Sequence, residues 1–390
     1  MTHTIQQNRI ECPNLLNRSL DESQIINWLR LIRDRRWSLR QKHVLLEQFA
    51  CPANIYACST QELAELKLGK INNVTDNGLA IKLDQDIQWL EESEHSLITI
   101  YDENYPDLLK EIYDPPIALF AKGKLACLKD PKVAMVGSRR PTPVGSKLTE
   151  NLASGLAQLG VVITSGMALG VDGGAHQAAL RVNSPTIAIM GCGLDTIYPM
   201  RHKGLFEQIA ATGCLLSEYP LGYPPARHHF PQRNRIVSGM SLGVVIIEAA
   251  ERSGTIITAR LAMEQNRQVM VVPGSALNTQ YNGSHRLIRQ GASIVTDVED
   301  IINDLAKPLQ ELLEKIKLNE SLKKDKQLNI SEKITTANPL MRHINYDSTN
   351  VNDIILASRL TAAEVSSMLL ILEVEGLIAI AEDGGYMRLC

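Results

Sequence analysis

The central part of this chain is predicted to be an α/β domain built on a parallel sheet with helices on both faces. Two observations carry that reading. Seven short apolar runs, "VAMVG", "VVIT", "TIAIM", "CLLS", "GVVIIEA", "QVMVV" and "SIVT", recur from residue 133 onward, and each gives way to a loop and a helical segment. Short strands buried on both faces and separated by helices form parallel sheets. The composition, 44% hydrophobic and 21% charged over 390 residues, supplies an ordinary soluble core and room for two or three domains.

Ahead of the sheet, "LDESQIINWLRLIRDRR" and "SLRQKHVLLEQFA" carry apolar residues three and four apart, so residues 20 to about 90 read as helices. "YDENYPDLLKEIYDPPIALFAKGK" reads as a proline-containing approach to the sheet. After about residue 305 the chain becomes lysine-rich and poor in large apolar residues, as in a linker. In the tail, Thr361 and Glu364 form a T-x-x-E capping box before an apolar helix, and "LIAIAEDGGYMRL" reads as two strands around a Gly-Gly turn. That outline is a winged helix. The expected divisions are 1–94, 95–305, 306–340 and 341–390.

Parallel sheets bind ligands at the carboxyl ends of their strands, so function is sought in the loops there. In "VAMVGSRRPTPVG", Gly137 ends a strand, Ser138, Arg139 and Arg140 follow, and Thr142 and Pro143 read as N-cap and first residue of a helix. Free backbone N–H groups beside two arginines suit an anion, although solvated surface arginines fit as well. Neither G-x-G-x-x-G nor a Walker A pattern is present. In "TSGMALGVDGGAHQAA", Gly166 and Gly170 permit close backbone approach, and Asp172 and His176 lie four apart on one helix face. A metal site, an acid–base pair and an internal hydrogen-bonded pair that shapes a pocket are the three readings, the last favoured. "GCGLDTIYP" is a further Gly-rich strand end, and "SEYPLGYPPARHHF" a long loop in which His228 and His229 fit a pocket or plain surface equally.

The stretch "HHFPQRNRIVSG" places Arg233 and Arg235 either side of Asn234 where a helix is expected to begin. Cations in a first turn oppose the helix dipole at a cost of a few tenths to about 1 kcal/mol, so an anion or an internal acid is expected to offset them. Ser253, Gly254 and Thr255 in "EAAERSGTIITARLA" start another helix and offer hydroxyls and N–H groups to a phosphate. Residues 131–240 hold ten Lys or Arg against five acids, about +5 in a chain of net charge −3, which points to a large anion.

The seven cysteines (12, 51, 58, 127, 192, 214, 390) are scattered with no C-x-x-C, which fits neither a disulfide framework nor a zinc site. The first residues lack the basic and apolar regions of a signal peptide, and no apolar run has the length of a membrane span. A reduced, cytoplasmic protein is expected.

Together "GSRRPTPVG", "SGMALGVDGGAH", "FPQRNRIVSGMS", "SGTIITA", "VPG" and "LIRQGA", in this order, resemble the DprA/Smf family of DNA-processing proteins, strongly over residues 95 to 300 and weakly over the flanks. The resemblance implies an extended Rossmann-like domain that binds single-stranded DNA, forms homodimers, protects incoming DNA and loads a RecA-type recombinase during natural transformation. No catalysis, cofactor or metal is implied. By matching motifs, Gly137, Ser138, Arg139 and Arg140 become phosphate contacts. Gly166, Gly170, Asp172 and His176 shape the pocket, Phe230, Arg233, Asn234 and Arg235 line its basic wall, and Ser253, Gly254 and Thr255 form its floor. Phe230 is a candidate base-stacking platform, though a packed ring beside a helix start fits equally.

Two departures from the family pattern matter. The family's N-terminal region resembles SAM or helix-hairpin-helix modules, yet "RDRRWSLRQK" has no glycine with which to present N–H groups to phosphate. The tail domain carries six acids against two arginines between 350 and 390, about −4, so protein contact or regulation is expected of it rather than DNA binding. The alternative is a nucleotide N-glycosidase or phosphoribohydrolase, for which Glu248 is the available carboxylate. "ERSGTIITA" lacks the Pro-Gly-Gly such a loop needs.

Overall fold

A computed structural model describes residues 22–66, 68, 78–308, 340, 343–345, 348–358, 360–361, 365, 368–369, 372–373, 378–381 and 385–388. Most of the expected linker and Glu364 of the expected capping box lie outside the described residues. The chain divides into two compact units, 1–309 and 310–390.

The first unit opens with α1 (Glu22–Arg33), α2 (Leu39–Phe49), α3 (Pro52–Ala57), α4 (Thr60–Glu65) and α5 (Leu79–Leu90). Then follow β1 (His95–Thr99), α6 (Asp107–Lys110), β2 (Ala118–Gly123), β3 (Lys132–Val136), α7 (Pro143–Gln158), β4 (Val162–Ser165) and α8 (Val171–Arg181). Next come β5 (Thr186–Met190), α9 (Lys203–Thr212), β6 (Cys214–Ser217), α10 (His229–Gly239), β7 (Gly243–Ile246), α11 (Gly254–Glu264), β8 (Gln268–Val271), α12 (Asn282–Arg289) and β9 (Ser293–Ile294). The nine strands run β1-β2-β6-β5-β4-β3-β7-β8-β9. All seven expected strands pair in parallel with their neighbours. Two strands are unexpected: β1, just ahead of the proline-containing approach segment, and β2 within it; they pair antiparallel with each other, and β2 also pairs antiparallel with β6. The prolines of that segment hid a strand because they end at Pro116, just before the buried run of β2.

Successive units step from β3 through β4 and β5 to β6; the chain then crosses back to lay β7 on the other side of β3. The loops leaving β3 and β7 therefore diverge from adjacent strands, which opens a crevice at their carboxyl ends. Strand side chains alternate between faces. Ile187 and Ile189 of β5 join Ile236, Ile256 and Leu287 from α10, α11 and α12. Ala188 and Met190 instead meet Phe206 of α9.

The N-terminal helices share this core. Leu29 of α1 and Trp89 of α5 pack in one cluster with Phe120 of β2 and Leu215 of β6. Arg33 and Asp86 form a bidentate ion pair at 2.5 and 2.7 Å, with both side chains almost fully buried. Arg33 Nη2 also donates to Leu221 O at 3.0 Å, in the loop that leads to α10. In the turn between α1 and α2, Gln41 N donates to Ser38 Oγ and Ser38 N to Gln41 Oε1. Those two N–H groups are thus satisfied within a capping box rather than presented outward.

Cys51 is disulfide-bonded, so the expectation of a wholly reduced set of cysteines fails there; Cys58, Cys127, Cys192 and Cys214 are free thiols. Among the described residues no helix is long and apolar enough to cross a membrane, and no three His, Cys, Asp or Glu side chains gather as metal ligands. In the second unit, α13 (Val351–Ser358) packs with an antiparallel pair, β10 (Ile378–Ile380) and β11 (Tyr386–Arg388). Their core is Leu340, Ile344, Ile354, Val365, Leu369, Leu372 and Ile378.

Candidate nucleic-acid interface

A cavity of about 700 Å³ occupies the crevice between the loops after β3 and β7. Its first wall is Gly137, Ser138, Arg139 and Arg140. Ser138 Oγ accepts from Arg140 N at 3.1 Å, which curls the loop, and both arginines are exposed. Neither makes an ion pair with any described residue.

The far end of this loop is clamped. Thr142 caps α7 by accepting from Gly145 N at 3.0 Å. Thr142 N and Oγ1 in turn donate to the Glu248 carboxylate at 3.0 and 2.5 Å, and Tyr281 Oη donates to it at 2.8 Å. Glu248 is fully buried and absent from the cavity lining. Glu248, the carboxylate named for the enzymatic alternative, is thus held as a structural acceptor.

The second loop lies against the first. Gly170 has φ +83°, and a Cβ there would sit 2.3 Å from Ser138 O, so only glycine fits both the backbone and the contact. Asp172 accepts from Gly166 N at 3.1 Å and Ala168 N at 3.4 Å. Burial pushes its carboxyl upward, with Arg233 and these N–H groups pulling the other way.

The expected Asp172–His176 pair does not form. His176, fully buried, instead has Nδ1 2.7 Å from Thr186 Oγ1, and it does not line the cavity. One helix turn brings the two onto a common face, but Asp172 is captured by the N–H groups of its own loop and His176 by the neighbouring strand. Burial lowers the His176 pKa to about 3. Below pH ~6.5 the unfolded chain takes up a proton that the native state refuses, so stability falls as pH drops from about 6.5 towards 3, by up to ~1.4 kcal/mol per pH unit. Urea unfolding at pH 7 and pH 5 checks this: the wild type loses about 2 kcal/mol more than His176→Gln. Equal losses in the two proteins rule the effect out.

The third wall is α10, and here the expectation needs correcting. The helix begins at His229, with Pro231 inside its first turn, where a missing N–H costs nothing. Arg233 and Arg235 therefore lie beyond the first turn, and the dipole penalty does not apply to them. Arg235 does not line the cavity; it is buried against Glu218 at 2.6 Å and Asp114 at 3.1 Å. Arg233 reaches the cavity but is only 4% exposed. Its Nη1 donates to Ile189 O, its guanidinium fills the space a Gly166 side chain would need, and its Nε has no partner. Phe230 and Asn234 line the same wall.

The floor is the start of α11. Ser253 is its N-cap but makes no side-chain cap bond, and its Oγ lacks a partner. Thr255 Oγ1 donates to Gly137 O at 3.1 Å, tying floor to first wall. A Cβ at Gly254 would meet open space. An uncapped helix start of this kind presents N–H groups and the positive dipole end to an anion.

Residues 96–306 match the family model described as DNA recombination-mediator protein A. The chain belongs to the DprA/Smf family. Residues 327–384 match the DprA winged helix domain, in agreement with the helix and paired strands of the second unit. The chain is 41% identical over 308 residues to Protein Smf of Escherichia coli K12, covering 79% of this chain and 81% of that one. It is 47% identical over 204 residues to the DNA processing protein DprA of Streptococcus pneumoniae R6, covering 52% and 72%. The X-ray structure of DprA from Streptococcus pneumoniae superposes with a TM-score of 0.61 at 36% identity, covering 71% of this chain and 97% of that one. A structure of DNA processing protein A from Helicobacter pylori, concerned with its single-stranded DNA binding mode, gives 0.50 at 38% identity, covering 55% and 96%.

In this DprA/Smf member the cavity gathers twelve of the fifteen residues singled out from sequence, leaving out Gly170, His176 and Arg235. It also contains residues that sequence reasoning passed over. Tyr198 lines it from the loop after β5, and Arg227 from the loop before α10. The signal for Tyr198 was its place in "GCGLDTIYP", a strand-end loop noted for glycine alone. Arg227 entered the charge count but received no role.

Proposed function

We propose that this DprA/Smf protein binds single-stranded DNA in the cavity at the carboxyl ends of β3 and β7. The observation that carries the reading is the pair of exposed, unpaired arginines, Arg139 and Arg140, facing the uncapped start of α11 across one cavity. Guanidinium groups and free N–H groups converging on a concave site suit the phosphates of a flexible strand. Arg227 adds a further exposed cation. Gly137, Ser138, Ser253, Gly254, Thr255 and Asn234 serve as polar contacts. Gly166, Asp172 and the buried Arg233 hold the loops in place, and Gly170, His176 and Arg235 act only through structure. The Helicobacter pylori relative, whose structure concerns single-stranded DNA binding, supports the choice of ligand. By family membership the protein acts as a homodimer that protects incoming DNA and loads a RecA-type recombinase during natural transformation.

Fluorescence anisotropy of a labelled oligothymidylate and of a duplex, titrated over a range of salt, tests this. Single strands are expected to bind more tightly, with log K falling by about 0.7 per log salt for each phosphate neutralised. Salt-independent binding, or preference for duplex, would remove the basis of the reading. Release of free base from nucleoside monophosphates would favour the enzymatic alternative instead.

A further inference from the structure

Phe230 is the candidate stacking ring that the family resemblance implies, and its ring is already engaged on one side. A Cβ placed on Gly191 would lie 3.0 Å from Phe230 Cδ1, so the ring rests on the Gly191 backbone. Its other neighbour is Tyr198, with ring centroids 5.4 Å apart and planes inclined at 35°. Tyr198 is 42% exposed, lines the same cavity as Arg139 and Arg227, and is the more accessible ring of the two.

The loop that presents Tyr198 is anchored on both sides. Thr196 N donates to Gly193 O at 3.0 Å before it, and His202 N donates to Pro199 O at 2.9 Å after it. His202 Nδ1 further lies 3.1 Å from Met167 O, in the loop after β4. An aromatic ring held this way ahead of binding loses little freedom when a ligand stacks on it. A single exposed tyrosine on a protein surface needs no explanation. This one stands at a cavity whose lining includes the exposed guanidinium groups of Arg139, Arg140 and Arg227 and the uncapped start of α11, and it is backed by a second ring. A ligand matching both features has a flat π-face joined to an anionic backbone, which describes a nucleotide within a strand.

We infer that Tyr198 provides a base-stacking face of the DNA site, with Phe230 as the ring that supports it. The inference rests on reading the cavity as the single-stranded DNA site and adds a ring that touches bases rather than phosphates. Stacking of this kind is tolerant of sequence, because every base has a π-face.

The experiment compares an oligothymidylate with a strand of equal length and charge whose central nucleotides are abasic, using the full chain. Wild-type protein is expected to prefer the base-bearing strand. Tyr198→Ala loses about five- to a hundredfold in affinity for that strand and little for the abasic one. Tyr198→Phe keeps most of the preference, Tyr198→Leu loses it, and the salt slope is the same in all of them. The leucine variant guards against a folding defect in the alanine variant, and matching thermal melts establish that each is folded. Retention of the full base preference in both Tyr198→Ala and Tyr198→Leu, or equal weakening of both strands, overturns the inference while leaving the cavity assignment intact. Failure of the wild type to bind either strand overturns the cavity assignment, and this inference with it.

Discussion

Replacing Arg139 and Arg140 together by alanine is expected to weaken single-stranded DNA binding about a hundredfold and to flatten the dependence of log K on log salt by about 1.4. The first figure assigns each guanidinium about 1.5 kcal/mol, the low end for hydrogen bonds to charged groups and appropriate to exposed side chains. The second follows from about 0.7 per phosphate on a single strand. Both residues are exposed and unpaired, so the loss reports contact with DNA rather than damage to the fold. Surface changes of this kind usually alter stability by no more than about 0.5 kcal/mol. Since phosphate contacts carry no sequence information, the loss should be the same for oligothymidylate and oligocytidylate. Anisotropy titrations between about 50 and 200 mM salt measure affinity and slope together. An unchanged slope in the double variant would place the DNA elsewhere on the molecule.

Arg33→Ala is expected to lower the free energy of unfolding by about 3–5 kcal/mol, the cost of leaving one member of a buried ion pair without its partner. Asp86 is 0% exposed and would keep a carboxylate with no guanidinium to accept from, while Leu221 O would lose its donor. The magnitude belongs to the orphaned charge more than to the pair itself. Replacing both residues with apolar ones, as Arg33→Met with Asp86→Leu, should therefore recover most of the loss. Urea denaturation at neutral pH reads both variants. A loss below about 1 kcal/mol in the single variant would mean that water reaches Asp86 once the arginine is removed.

The sheet was legible in the sequence because its strands are buried on both faces and read as unbroken apolar runs, such as "TIAIM" for β5 and "CLLS" for β6. The antiparallel strands at its edge were not. β1 carries a histidine, a serine and a threonine, and β2 follows a pair of prolines, so neither stood out from loop. The loops of the site were legible from glycine, arginine and capping residues, whose local chemistry survives folding. What failed was long-range partnership. Arg235 was assigned to the site by its family motif, yet Asp114, more than a hundred residues earlier, holds it in the interior. Glu248 looked available for catalysis until Thr142 and Tyr281 were seen to converge on it. Periodicity says which face a side chain is on, and it cannot say which distant atom waits there.

The shared core around Leu29, Trp89, Phe120 and Leu215 has a consequence for what counts as a module in this protein. The match to the family model starts at residue 96, just inside β1. The apolar packing crosses that line, and so does the grip of Arg33 on Leu221. The stretch matched by the family model and the stretch joined by apolar packing are therefore different. Loss of the packing between α1, α5 and the sheet should therefore destabilise the sheet that holds the site.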